Sequence, residues 1–343
     1  MSVERATLAG GYSISRLLMG GWQLAGGHGS VSPAAAHAQM QAYTDAGITT
    51  FDCADIYTGV EELIGSFKRL RTAPAIQVHT KCVPDRQALA TLRRADIERL
   101  IDCSLLRLGV EQLDLVQFHW WDYALPGCAA AAHWLAELCH NGKIRHVGIT
   151  NFDTPQLAAL LAAGVPVATH QLQYSVLDQR PENGMAALCA AHGVQLLCYG
   201  ALAGGFLSEK YLGQPAPAEP LENRSLVKYR LIIEEFGGWD KFQSILQALQ
   251  LIAAKHHATI GAVALRYVLD QPQVAGVIVG ARNTQHLPAT LAAMRISLDA
   301  ADRTAIAAVQ ATASGPGGDT YTLERNHSGP HAGIMRYNIN AAN

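Results

Sequence analysis

Short β-branched or apolar runs alternate with helical-period segments from one end of the chain to the other, and this alternation constrains the fold more than any other feature. The expected strands are 17–24, 49–54, 75–81, 113–119, 144–151, 165–171, 194–199 and 274–280. Helical periodicity falls on 33–46, 60–70, 87–108, 127–141, 154–163 and 182–192. After a long irregular insertion it returns at 241–257, 260–270 and 285–294. Gly47, Gly109, Gly142, Gly164 and Gly193 stop helices, and Asp153 or Thr154 caps one. Strands that alternate with helices imply right-handed crossovers and a parallel sheet. Eight such units in roughly 280 residues close into an α/β (β/α)8 TIM barrel. A doubly wound sheet is the alternative, and it calls for a G-x-G-x-x-G turn after its first strand. Here that strand runs into GGWQLAGGHG, which lacks the spacing.

Residues 6–14, centred on Gly10-Gly11, read as an N-terminal β-hairpin within 1–16 that plugs the barrel bottom. Residues 298–311 read as an extra C-terminal helix, and 312–343 as a tail rich in Gly, Pro, His and aromatics. The expectation is a single domain over 1–343. Its 343 residues, 49% hydrophobic, suffice for one large core. A formal net charge of −2 gives no electrostatic case for nucleic acid. The seven cysteines form no C-x-x-C pair, so reduced thiols are expected rather than disulfides or a zinc site. MSVERATLAGGYS lacks a signal pattern, and no apolar run reaches the ~18 residues of a membrane span. The expectation is a soluble cytoplasmic protein with no membrane partner. His133, Glu137 and His140 share a helical face but lie far from the mouth, so no metal is assigned there.

Barrel chemistry collects at the C-terminal strand ends. Those ends carry Gly21-Trp22, Asp52 with Tyr57 in its loop, Lys81, His119, Thr150-Asn151, Gln171, Tyr199, and Gly280 through Arg282. Singly, an Asp after a strand is a turn former and a Lys is a surface charge. Together, at one end of consecutive strands, they point to catalysis. A tyrosine with a pKa of about 10 is a poor acid at neutral pH, and a neighbouring ammonium lowers that value. Asp52 would hold Lys81, Lys81 would tune Tyr57, and a neutral His119 would hold a substrate carbonyl oxygen. Asp55 reads as a turn residue.

FDCADIYTGVEELIG, VHTKC, LVQFHWWD, GKIRHVGITNF, HQLQY and CYGALAGGFLSEKY together resemble the aldo-keto reductase family, over about 17–294. The resemblance implies a (β/α)8 barrel that binds NADPH, or sometimes NADH, across its mouth. It places the catalytic tetrad on Asp52, Tyr57, Lys81 and His119, with Tyr57 as proton donor. Cofactor binding is extended to Gly21 and Trp22 at the first strand end. Thr150, Asn151 and Gln171 would hold the nicotinamide carboxamide, and Tyr199 would stack on the ring. Gly200, Leu202 and Gly204 would run beside the pyrophosphate. Gly280, Arg282 and His286 belong to the segment expected at the adenosine 2′-phosphate. Where relatives carry Glu-Asn for the adenine, this chain has Ala289 and Thr290, and Ala201 replaces the proline after the seventh-strand tyrosine.

Trp22, Trp120, Trp121 and Phe152 flank strand ends, as pocket walls or as core. Tyr321, Glu324, Arg325 and His331 of the tail would cover the mouth or make a surface or subunit contact. The expected activity is NADPH-dependent reduction of an aldehyde or ketone. The alternatives are an aldose or alcohol dehydrogenase and a slow nucleotide-sensing regulatory subunit.

Overall fold

A computed structural model describes residues 3–25, 32–70 and 75–340; residues 26–29 of the glycine-rich stretch lie outside them. Two short strands, β1 (Arg5–Thr7) and β2 (Ser13–Ser15), pair antiparallel. Eight more follow: β3 (Leu17–Gly20), β4 (Thr50–Asp52), β5 (Gln77–Cys82), β6 (Leu113–Phe118), β7 (Ile144–Thr150), β8 (Val167–Gln173), β9 (Gln195–Tyr199) and β10 (Val274–Gly280). They run parallel in chain order and β10 closes onto β3. This is the expected (β/α)8 barrel.

The register assembles the mouth. Gly280 pairs with Gly20, Gly20 with Asp52, Lys81 with Gln117, and Thr150 with Gln171. At the other end, Leu8, Tyr12 and Ile14 of the hairpin pack on Leu18, Leu115, Leu197 and Ala275. The hairpin therefore buries those apolar residues, and its Tyr12 also meets His79 at 3.3 Å and the His146 ring at 4.9 Å.

The outer helices are α1 (Pro33–Asp45), α2 (Val60–Leu70), α3 (Arg94–Leu108), α4 (Cys128–His140), α5 (Thr154–Ala162), α6 (Met185–His192), α7 (Arg224–Phe236), α8 (Gly238–Lys255), α9 (Ile260–Leu269), α10 (Leu287–Ala292) and α11 (Ala300–Gln310). Two differ from expectation. The segment expected as one helix over 87–108 splits into a 3-10 turn at Arg86–Thr91 and then α3. Asp96 accepts the Arg93 amide at 3.0 Å, which restarts the helix there. The insertion expected to be irregular contains α7. Asn223 caps it through the Leu226 amide at 3.1 Å, and Tyr229, Ile232, Ile233 and Phe236 bury one face. His256, just past the end of α8, bonds Asp302 of α11 at 2.7 Å.

Candidate active site

Asp52 ends β4 and is buried. Lys81 Nζ lies 3.0 Å from its Oδ1 and 2.9 Å from its Oδ2, and donates to the Cys53 carbonyl at 2.9 Å. The side-chain amides of Gln117 and Gln171 donate to Asp52 Oδ1 at 3.2 and 2.6 Å. Burial alone would lower the Lys81 pKa, but Asp52 overrides it and holds the ammonium above its ordinary value. Two barrel strands thus fix a desolvated ion pair whose remaining polar capacity is met by amides, the condition under which such a pair is tolerated.

The Tyr57 ring centroid lies 5.0 Å from Lys81 Nζ. Trp22 meets the same ring edge-on at 5.1 Å. Burial raises the phenol's pKa, and the pull of Lys81 in the other direction does not overcome it. Lys81 therefore acts in the expected direction, but burial, which the sequence did not reveal, is larger, and the resting phenol holds its proton. Asp55 is also more than a turn residue. It is buried and accepts the Ile56 amide and, across to the end of β5, the Val83 amide, each at 2.9 Å. Burial pushes its carboxyl up to about 7 against those two bonds.

His119 follows β6, and its Nδ1 lies 3.0 Å from the Thr150 carbonyl oxygen. A carbonyl only accepts, so Nδ1 carries the proton. Burial first, and then the Arg325 charge, push the imidazole pKa down to about 3 against that bond. The neutral ring therefore presents a bare Nε2, which has no partner among the described residues. This corrects the expected role: a neutral His119 in this tautomer has no N–H to give a carbonyl, and acts as an acceptor.

The expected cofactor residues gather on the same rim. Thr150 Oγ1 is buried without a partner among the described residues, and Asn151, at φ 62°, accepts the Tyr199 hydroxyl on Oδ1 at 2.8 Å. Gln171 commits its Nε2 to Asp52, as described above. Gly21 donates to the Asp52 carbonyl at 2.7 Å, and a Cβ there would sit 2.8 Å from that oxygen. At Gly280 a Cβ would press on the Gln23 side chain at 3.0 Å. Gly200 and Gly204, flanking half-buried Leu202, have positive φ, and a Cβ at either would strike Tyr229 of α7 at 2.8 and 2.7 Å. Those glycines admit helix packing as well as leaving backbone bare. Arg282 is exposed and pairs with Glu222 at 3.1 Å, and exposed His286 precedes α10. Thr290 is buried and Ala289 half-buried. An orphaned threonine hydroxyl, a side-chain amide, an aromatic ring and an open glycine turn fit a nicotinamide dinucleotide.

A family model described as the Aldo/keto reductase family matches residues 16–311. The chain belongs to the aldo/keto reductase family. It is 26% identical to a NADH-specific methylglyoxal reductase of Escherichia coli (strain K12), covering 85% of this chain and 93% of that one. It is 31% identical to flagellar radial spoke protein 5 of Chlamydomonas reinhardtii over 63% of this chain, spanning 49% of that longer protein. The solved glycerol dehydrogenase of Gluconobacter oxydans superposes with a TM-score of 0.79 at 25% identity, covering 93% of this chain and 98% of that one. As an aldo/keto reductase, this protein is an NAD(P)H-dependent oxidoreductase.

In this oxidoreductase two of the four aromatics, read as pocket walls or core, reach the mouth. Trp120 and Phe152 are fully buried; the Trp120 indole nitrogen donates to the Asp122 and Leu125 carbonyls at 2.9 and 3.3 Å, and Phe152 packs on Phe118. They are core, because neither keeps exposed surface to line a pocket. Trp22 stays exposed and Trp121 is half-buried.

The tail folds over the mouth. Its short helix α12 (Thr322–Arg325) follows Tyr321, which meets the His119 ring edge-on at 5.8 Å. Arg325 donates to the carbonyls of Trp121 at 2.6 Å and Asn151 at 2.9 Å and stacks 3.8 Å from the Tyr123 centroid. Glu324 pairs with Arg180 at 3.0 Å, and Arg180 with Asp178 at 2.7 Å, all three buried. His331 bonds Glu235 of α7 at 3.2 Å. Sequence reasoning missed Lys228, which lies 4.7 Å from the Tyr199 centroid and 3.9 Å from Glu324. Burial lowers its pKa against the pull of Glu324. Only its place one turn before Ile232, beside the apolar face of an unrecognised helix, could have signalled it. Among the described residues no cluster of three or more His, Cys, Asp or Glu is arranged to hold a metal, and no helix is long and apolar enough to cross a membrane.

Proposed function

We propose that the protein reduces an aldehyde or ketone to an alcohol, with NADPH preferred and NADH accepted. The observation that carries this reading is the buried Asp52–Lys81 pair set 5.0 Å from the ring of a protonated Tyr57. When bound, the reduced nicotinamide supplies a hydride to the carbonyl carbon. Tyr57 gives its proton to the carbonyl oxygen as negative charge develops there. Lys81 stabilises the phenolate that remains, and Asp52 holds Lys81 charged and in place. Thr150, Asn151 and Gln171 hold the carboxamide, and Tyr199 lies against the ring. Arg282 holds the 2′-phosphate that distinguishes NADPH. A second reading, oxidation of an alcohol, is favoured by the bare His119 Nε2, which accepts a hydroxyl hydrogen.

The test is consumption of reduced nicotinamide against a panel of aldehydes and ketones, with wild type and Tyr57→Phe. The variant should lose roughly 10²–10⁴-fold in kcat while cofactor affinity, read by tryptophan quenching, holds. Wild-type turnover in Tyr57→Phe would remove Tyr57 from the reaction.

A further inference from the structure

Lys228 of α7 is a second lysine at the mouth, and its surroundings differ from those of Lys81. Lys81 meets its carboxylate at contact, 2.9 Å from Asp52 Oδ2. The carboxylate that faces Lys228 is Glu324, 3.9 Å from Nζ, and both Glu324 oxygens are already engaged by Arg180, at 3.0 and 3.3 Å. Buried Asp178, Arg180 and Glu324 are two carboxylates and one guanidinium, so one negative charge is left over and Lys228 balances it from a distance. An ammonium that is not neutralised at contact keeps a field in a poorly solvated site. That field falls on Tyr199: Nζ lies over its ring, 4.7 Å from the centroid, and 3.4 Å from its hydroxyl. The hydrogen bonds leading away from Lys228 run in one direction. An ammonium only donates, so the Tyr199 oxygen accepts and its proton goes to Asn151 Oδ1 at 2.8 Å. Asn151 is thereby left with its Nδ2 hydrogens to give.

Transfer of a hydride to the carbonyl carbon, with the π pair moving to oxygen and the Tyr57 proton following it, leaves the nicotinamide with a positive charge that its reduced form lacks. We propose that Lys228 makes this site select reduced over oxidised nicotinamide: its ammonium, set against Tyr199, repels the ring once it is oxidised, and through Tyr199 it holds Asn151 as a donor to the carboxamide oxygen. This rests on the nicotinamide lying against Tyr199 as proposed above. Lys228 gives up no proton in the cycle and acts through Tyr199, so it is a positioning residue. Glu324 and Asp178 carry the opposite sign, but Arg180 meets both at contact, at 3.0 and 2.7 Å. The consequence is a direction. The cofactor is held less tightly after each reduction than before it, and alcohol oxidation has to begin from the more weakly held form.

The experiment measures dissociation constants by tryptophan quenching, with no substrate present, for NADPH, NADP+, NADH and NAD+. Wild type is compared with Lys228→Met, Lys228→Gln and Lys228→Arg. Two unit charges about 10 Å apart at an effective dielectric of about 20 change an affinity on the order of tenfold. Lys228→Met should therefore tighten each oxidised cofactor relative to its reduced partner on the order of tenfold. The factor should be the same in both pairs, because the 2′-phosphate cancels within each. Lys228→Gln removes the charge but keeps a donor to Tyr199; it should show the same shift, and it decides the matter if the Met variant does not fold. Lys228→Arg keeps the charge and should keep the wild-type ratio, whereas a merely structural lysine moves both redox states together. An unchanged ratio of oxidised to reduced constants in the uncharged variants, or an equal shift in Lys228→Arg, overturns the proposal and leaves carbonyl reduction standing. Failure of the wild type to bind any of the four overturns the cofactor reading and this proposal with it.

Discussion

Replacing Lys81 by Met separates what the buried pair does for stability from what it does for chemistry. The ammonium holds both Asp52 oxygens and the Cys53 carbonyl. Without it, the carboxylate keeps only the two glutamine amides, both on Oδ1. Removing one partner of a buried ion pair typically costs about 3–5 kcal/mol, because the other charge stays desolvated. With a urea m-value of about 2–3 kcal/mol per molar, the unfolding midpoint should fall by roughly 1–2 M. Asp52→Asn added to Lys81→Met removes the stranded charge, and the new carboxamide still offers an oxygen to Gln117 and Gln171. Most of the lost stability should return.

Activity should not follow. In both variants burial of Tyr57 acts on its pKa unopposed by the nearest cation, so the phenol is a weaker acid and its phenolate is unsupported. The expected loss in kcat is about 10²–10⁴-fold in each. The assay pairs urea unfolding with steady-state turnover on one carbonyl substrate. If the double variant turns over at the wild-type rate, Lys81 is a structural ion alone. If Lys81→Met unfolds at the wild-type midpoint, the pair is not desolvated as described.

Three further outcomes are expected. Glu324 is held down to about 2 from its ordinary 4.5: burial raises it, and Arg180 and Lys228 more than reverse that. A depressed carboxyl stabilises the fold above the unfolded value, so this contribution is full above about pH 4.5 and disappears as pH falls toward 2, about 3 kcal/mol in all. Urea unfolding against pH should show a flatter acid limb in Glu324→Gln, and parallel limbs would contradict the assignment. Arg282→Ala should weaken NADPH by one to two decades and leave NADH nearly unchanged; equal losses in the two dissociation constants would show that the arginine does not read the 2′-phosphate. Gly65→Ala should lower the melting temperature. Helix propensity favours Ala by about 1 kcal/mol, but its Cβ would lie 2.4 Å from the Arg107 carbonyl oxygen and 2.8 Å from that of Leu108, and overpacking against backbone costs ~1–3 kcal/mol or more. A rise in melting temperature would mean that α2 and α3 part easily.

The barrel was legible because its signals are local and repeated. Each strand is a short β-branched or apolar run, most helices have a glycine stop, and only a closed sheet of eight uses all of them. That Asp52, Lys81 and Tyr57 come together was legible for the same reason, since position at a strand end already implies position at the mouth. What escaped was set by burial and direction. Nothing in the sequence distinguishes Trp120, which turns into the core, from Trp121, which stays half-buried at the rim. The tautomer of His119 depends on the Thr150 carbonyl, 31 positions away. The pKa of Tyr57 depends on which of two opposed effects is larger, and residue types give only their signs.

The tail shows the limit most clearly. Glu324 and Arg325 read as tail residues that would cover the mouth or make a surface or subunit contact, and nothing in the sequence says that they engage two different sides of that mouth. Glu324 is tied to Arg180, 144 positions earlier, and lies 3.9 Å from the Lys228 ammonium that sits over Tyr199. Arg325 grips the backbone beside His119. A charge enters a protein interior only where its partner is already fixed, and no periodicity advertises such a pairing. One turn of chain therefore couples Tyr199, the ring proposed to lie against nicotinamide, to the backbone on either side of His119. Because the two anchors are adjacent residues, releasing either one frees the same turn. Loss of the Glu324 pair at low pH thus also loosens the Arg325 contacts that hold the carbonyls of Trp121 and Asn151 in place.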